Sequence, residues 1–135
     1  KYTDKPIIIR PHPRNHVVID TAKYKNVKIV GPRRDKNTYD DTDLAERFKS
    51  AWAVVSHSSN PAMTAVFSGI PVYVSEASLS YDVGNKTFEN INNPDMPDRQ
   101  HWTNKLAYTE WFEDEIAQGL PWKRIKARLE EKYIK

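Results

Sequence analysis

The sequence predicts a three-layer α/β domain with a mainly parallel sheet, and three observations carry that prediction. Apolar, largely β-branched runs recur at Ile7-Ile8-Ile9, Val27-Lys28-Ile29-Val30, Trp52-Ala53-Val54-Val55 and Pro71-Val72-Tyr73-Val74. They are continuous rather than alternating, as strands covered on both faces of a parallel sheet require. The last two are joined by a segment with helix start and stop signals, a strand–helix–strand unit for which a right-handed parallel crossover is the rule.

In chain order, Ile7–Ile9 reads as a buried strand that Pro11 and Pro13 terminate. Val17-Val18-Ile19 fits a short strand or part of a helix equally. Val27–Val30 is a second strand, stopped by Gly31-Pro32. Asp43 followed by Glu46 is a capping-box pattern, and Leu44 and Phe48 share a helical face, so Asp43–Lys49 reads as a short helix. Ala51–Ser56 is expected as a central strand. Asn60 suits the N-cap, Pro61 the first helical position and Gly69 the position just past the end, which defines a helix of about two turns. Pro71–Val74 follows as a strand, for a sheet of four or five in all.

Ser75–Pro97 is polar and irregular, and a loop of that length is more often functional or mobile than ordinary. Trp102, Leu106, Trp111, Phe112 and Ile116 then trace one apolar helical stripe, which Gly119 ends. Pro121 restarts a helix whose stripe is Trp122, Ile125, Leu129 and Tyr133. Both stripes are expected to be core. The organisation predicted is an α/β core over residues 1–97 and a helical segment, 98–135, packed on the same domain.

With 135 residues and 39% hydrophobic content, the chain has material for one core. Lys1 in first place and a strand so close behind it suggest a fragment whose N-terminal partner is missing. No apolar run nears the roughly 20 residues of a membrane span, and no signal peptide opens the chain, so a cytoplasmic protein is expected. The absence of cysteine removes disulfides, thiolate zinc sites and thiol nucleophiles. His16, His57 and His101 share no ligand-like spacing, so neither a metal nor a cofactor is expected. Asp40-Asp41 and Glu113-Asp114-Glu115 read as a loop and a solvated helix face. The 21 basic and 18 acidic residues are dispersed, which permits nucleic-acid binding without indicating it. Four glycines form no Rossmann or P-loop pattern.

Two constellations suit anion binding. Ser56-His57-Ser58-Ser59-Asn60 turns a strand into a helix, where backbone N–H groups and serine hydroxyls converge at the carboxyl end of a strand. Pro61 removes one of those N–H groups, and helix capping explains Ser59 and Asn60 equally well. Arg10-Pro11-His12-Pro13-Arg14 places a histidine between two guanidinium groups on a rigid strand end, a set of donors suited to phosphate oxygens.

Together these constellations resemble the HP and SS motifs of GT-B-like bacterial sialyltransferases and polysialyltransferases, glycerophosphotransferases and capsule-polysaccharide transferases. His12-Pro13 and Ser58-Ser59 stand in the matching order, and Ala65–Val72 is similar to the helix–Gly–Ile–Pro–Val stretch that follows the serine pair. The resemblance covers roughly residues 5 to 75. It implies the Rossmann-like, donor-binding half of a glycosyltransferase: His12 acting catalytically on a donor phosphate oxygen, and Arg10, Arg14, Ser58, Ser59 and Asn60 holding that phosphate. His57, Tyr81, Asp82 and Asn85 are contact candidates for the nucleotide or sugar. The family's general base belongs to an acidic motif ending in glycine, and Asp82-Val83-Gly84 is not that motif. The implied partners are a nucleotide-sugar or nucleotide and a missing acceptor domain. The alternatives are a non-catalytic module that binds nucleotide or phosphoglycan, and a phage-type glycosyltransferase acting on modified DNA bases.

Overall fold

A computed structural model describes residues 2–12, 18–31, 34–35, 38–39 and 42–133, with only the backbone described for residues 34, 35, 38, 39 and 42. The chain divides into two compact units, Lys1–Pro97 and Asp98–Lys135.

The first unit is mixed α/β. Strand β1 (Ile7–Ile9) runs parallel to β2 (Val27–Ile29), with Ile7 opposite Val27. Strands β3 (Arg34–Asp35) and β4 (Thr38–Tyr39) form a small antiparallel pair, followed by helix α1 (Thr42–Phe48). Then come β5 (Val54–Ser56), α2 (Pro61–Phe67) and β6 (Val72–Val74), with β5 and β6 parallel and Val54 opposite Val72. The described strands thus form three two-stranded ladders, two of them parallel, where the sequence predicts one sheet of four or five strands.

The β5–α2–β6 unit follows its local signals closely. Pro61 opens α2, and Gly69 adopts φ +80° just past its end. There the Gly69 N–H donates to the Val66 carbonyl at 3.1 Å and the Ile70 N–H to the Ala65 carbonyl at 2.9 Å. That paired bond is the Schellman motif, and glycine enters it without a Cβ penalty. Helix α2 packs on both β5 and β6. The core comprises Ala62, Ala65 and Val66 of α2, all three residues of β6, and Phe48, Ile70, Val83 and Ile91.

Four expectations for this unit are corrected. The strand buried throughout is β6 rather than β5, where Val55 is 61% exposed. Trp52 lies outside the strand, its Nε1 donating to the Ile91 carbonyl at 2.8 Å and its ring beneath the Lys5 ammonium at 4.0 Å. Ile7 and Ile8 are exposed, because none of the described helices packs extensively over β1 and β2. Asp43 lies inside the first turn of α1 rather than ahead of it, buried, with Arg47 Nε at 3.1 Å and an Arg10 guanidinium nitrogen at 3.3 Å.

The segment after β6 is tightly bound rather than an open loop. It contains a 3-10 turn, Tyr81–Val83, and buries Ser78, Ser80, Val83, Asn85 and Ile91. Asn85 is its hub. The backbone N–H donates to the Val72 carbonyl at 2.7 Å, and Nδ2 donates to the carbonyls of Val72 and Asp95. Oδ1 accepts from Asn90 Nδ2 at 2.6 Å and from the Asp95 N–H at 2.9 Å. Two donors and two acceptor positions are all an amide side chain has, so the group is fully satisfied. Beside it the Tyr73 hydroxyl donates to Asn90 Oδ1 at 2.9 Å; burial and the nearby Asp95 charge hold that hydroxyl above its ordinary pKa.

The second unit comprises α3 (Gln100–Thr109), α4 (Glu113–Ala117) and α5 (Leu120–Tyr133). The predicted first stripe is therefore interrupted. Glu110 and Phe112 are extended, and the Phe112 N–H donates to the Glu115 carboxylate at 2.8 Å, which starts α4 afresh. Trp102 and Leu106 are buried, but Phe112 and Ile116 are exposed. The second stripe is not core either: Trp122, Ile125, Leu129 and Tyr133 are all exposed on α5. Among the described residues no helix is long and apolar enough to cross a membrane.

Candidate functional site

The serine turn is built by two sets of bonds. Ser56, the last residue of β5, accepts the Ser59 N–H on its Oγ at 3.1 Å. The His57 carbonyl accepts both the N–H and the Oγ of Ser75, at 3.2 and 3.0 Å. Ser75 directly follows β6, so the carboxyl ends of the two parallel strands are tied together at this turn. These bonds hold the turn backbone at His57 and Ser59, and preorganised donors bind with a smaller ordering cost.

The cap of α2 differs from the one the sequence suggests. Asn60 is already helical, with φ -53° and ψ -33°, and its side chain makes no capping bond. The Ala62 N–H donates to the Ser59 carbonyl at 3.0 Å and the Met63 N–H to the Asn60 carbonyl at 2.8 Å. Ser56 instead closes a turn ahead of the helix, its hydroxyl accepting an N–H that precedes the helical residues. Neither Ser59 nor Asn60 uses its side chain to cap, and the residues from His57 to Asn60 are all exposed. The N–H groups of Ser58 and Asn60 and the hydroxyl of Ser58 have no hydrogen-bond partner among the described residues. Helix α2 has seven residues and opens on a proline, so side chains and turn amides, rather than a helix dipole, are what this site offers an anion.

The second constellation is described in part. Arg10 and His12 follow the carboxyl end of β1, and Arg14 lies outside the described residues. Arg10 is half-buried and bridged to the buried carboxylate of Asp43, which also holds Arg47. Its charge is thus partly engaged within the protein. His12 is exposed.

Tyr81 and Asp82 are exposed in the 3-10 turn. The Lys86 ammonium lies over the Tyr81 ring at 3.3 Å and donates to the Tyr81 carbonyl. Partial desolvation pulls Lys86 below its ordinary pKa, against the opposing pull of Asp82. Asn85 is the structural hub described above, with no side-chain donor or acceptor left over. A polar cleft of about 420 Å³ opens beside it, lined by Lys86, Thr87, Asn90, Asp95 and Met96 among others. The serine turn is not part of that cleft, and its residues from His57 to Asn60 are exposed. Among the described residues no group of three or more histidines and carboxylates is placed to hold a metal ion.

Sequence reasoning places Ser56 in the turn without giving it a role of its own, and misses Ser75. Ser56 carries a legible signal, a serine three residues before another serine at a strand end, the spacing of a hydroxyl that accepts the i+3 N–H. Ser75 carries none, since its partner His57 is 18 residues away. Comparison of the chain with family models, with curated proteins and with solved structures returns no match.

Proposed function

We propose that the chain binds the phosphate of a nucleotide-activated sugar donor through the Ser56–Asn60 turn, as the donor half of a GT-B-like glycosyltransferase. The observation that carries this reading is the turn itself. Its backbone is held by Ser56 and Ser75, while the Ser58 hydroxyl and the Ser58 and Asn60 N–H groups face no protein partner among the described residues. Fixed, unpaired donors at the carboxyl ends of parallel strands are what an anionic ligand needs. His12 and Arg10, at the end of the other parallel pair, supply the second side of the site in this reading, with His12 acting on a phosphate oxygen. The accompanying fold is a three-layer, mainly parallel Rossmann-like half to which β1–β2 and β5–β6 both belong. An acceptor-binding domain supplies the general base and the wall that the exposed turn lacks. No cofactor is required, and the nucleotide-sugar is substrate.

Isothermal titration of the chain with CMP, CDP, UDP and GDP tests this. Binding of at least one nucleotide is expected. Ser58→Ala/Ser59→Ala should weaken it roughly tenfold or more, since each lost charge-assisted bond is worth about 1.5 kcal/mol, and His12→Ala should weaken it separately. Unchanged affinity in both variants overturns the assignment. Slow release of nucleotide from an activated donor supports a transferase, whereas binding without hydrolysis at any donor concentration supports a non-catalytic module.

A further inference from the structure

Helix α5 docks on its own unit by one side and presents its apolar side outward. The Arg124 guanidinium stacks on Tyr108 at 3.0 Å from the ring centroid, lies 5.5 Å from that of Trp111, and donates to the Tyr108 carbonyl at 2.7 Å. At about 100° per residue, Trp122, Ile125, Leu129 and Tyr133 fall within an arc of about 80°, and Arg124 lies about 145° from its centre. The four stripe residues are 59%, 48%, 39% and 67% exposed. One large apolar side chain on each successive turn is a continuous patch, not scattered surface residues.

The charge around the patch narrows what covers it. Lys126 and Lys123 follow the stripe on one side, Lys132 and Arg128 on the other, and α5 carries five basic residues against Glu130 and Glu131. Lys126 pairs with Glu130 at 3.5 Å, which leaves the opposite rim uncompensated. A second copy packed antiparallel would set the rim of Lys132 and Arg128 against itself, which opposes self-association. The complementary surface is anionic. The stripe is narrow and unbroken and has an aromatic residue near each end, Trp122 and Tyr133. Tryptophan and tyrosine sit at the level of lipid headgroups, and lysine stems flanking an apolar stripe extend their ammonium groups toward phosphates beside it. The helix has 14 residues, too few to span a bilayer but enough to lie in its surface.

We infer that α5 is an interfacial helix that docks the chain on an anionic lipid surface, with Trp122, Ile125, Leu129 and Tyr133 entering the headgroup boundary and Lys126, Lys132 and Arg128 contacting lipid phosphates. The test is co-sedimentation of the full chain with vesicles of phosphatidylcholine alone or with about one-third phosphatidylglycerol. The chain should pellet with the anionic vesicles at low salt and be released as salt screens the basic rim. Leu129→Ser should reduce the pelleted fraction about tenfold, and Lys126→Glu/Lys132→Glu should abolish the preference for anionic over neutral vesicles. All three residues are exposed, so unchanged circular dichroism of each variant is expected and ties the loss to the surface. Failure to pellet with anionic vesicles at low salt overturns the proposal, as does equal pelleting with neutral vesicles. A dimer in light scattering that Leu129→Ser dissolves assigns the face to a second copy. Stronger binding to an acidic amphipathic peptide than to vesicles assigns it to a protein partner.

Discussion

The two parallel strand pairs of the first unit have equal lengths and similar chemistry, yet they live in opposite environments. Strand β6, Val72-Tyr73-Val74, is buried throughout, whereas in β1, Ile7-Ile8-Ile9, the middle residue is 55% exposed. Isoleucine is no less apolar than valine. The difference lies in what the neighbouring chain supplies: β6 has α2 packed against it and the Ser78–Ile91 segment bonded back onto it, while among the described elements β1 packs extensively with β2 alone. Burial is a property of the covering elements as much as of the strand. The proposed phosphate site therefore has one well-supported side, the serine turn tied to β6, and one weakly supported side, Arg10 and His12 beyond β1.

That contrast can be tested in order of expected effect, by urea unfolding with the midpoint compared at constant slope. Asn85→Ala should cost most, about 2–3 kcal/mol, because it strips partners from Asn90, the Asp95 N–H and the Val72 and Asp95 carbonyls at once. A loss below about 0.5 kcal/mol would mean that the segment after β6 is not what covers the strand. Val66→Ala, at a fully buried position of α2, should cost about 2 kcal/mol through lost burial and the cavity left behind. Ile8→Thr on β1 should change stability by no more than about 0.5 kcal/mol, since an exposed strand position tolerates a β-branched polar residue. A loss comparable to that of Val66→Ala would show that β1 is covered after all and would remove the contrast.

Local signals hold for the bounds of α2, though not for its cap, where Asn60 is already helical. Pro61 and Gly69 bound α2 because fixed φ and positive φ are properties of single residues, and the parallel pairing of β5 with β6 follows from the helix between them. Tertiary consequences were harder to read. Nothing in Ile7–Ile9 announces that no described helix packs extensively over it, and the stripe of α5 has the same periodicity whether a helix faces a core or faces outward. The Asp43-x-x-Glu46 pattern locates the start of α1 to within a residue, but it does not show that the buried carboxylate also answers Arg10, 33 positions earlier. At the site, the serines and Arg10–His12 were visible as residue types. Their support was not, because the bond from Ser75 to the His57 carbonyl crosses from one strand end to the next.

The central claim, that phosphate binds at the Ser56–Asn60 turn, is tested most directly by following backbone amide chemical shifts as CMP or CDP is added. Ligand at the turn should shift the amides of His57, Ser58, Ser59 and Asn60 first and most, with smaller changes at Ser75, whose N–H is bonded to the turn. Shifts confined to the cleft around Lys86, Asn90 and Asp95, with the turn amides unmoved at saturation, would contradict it.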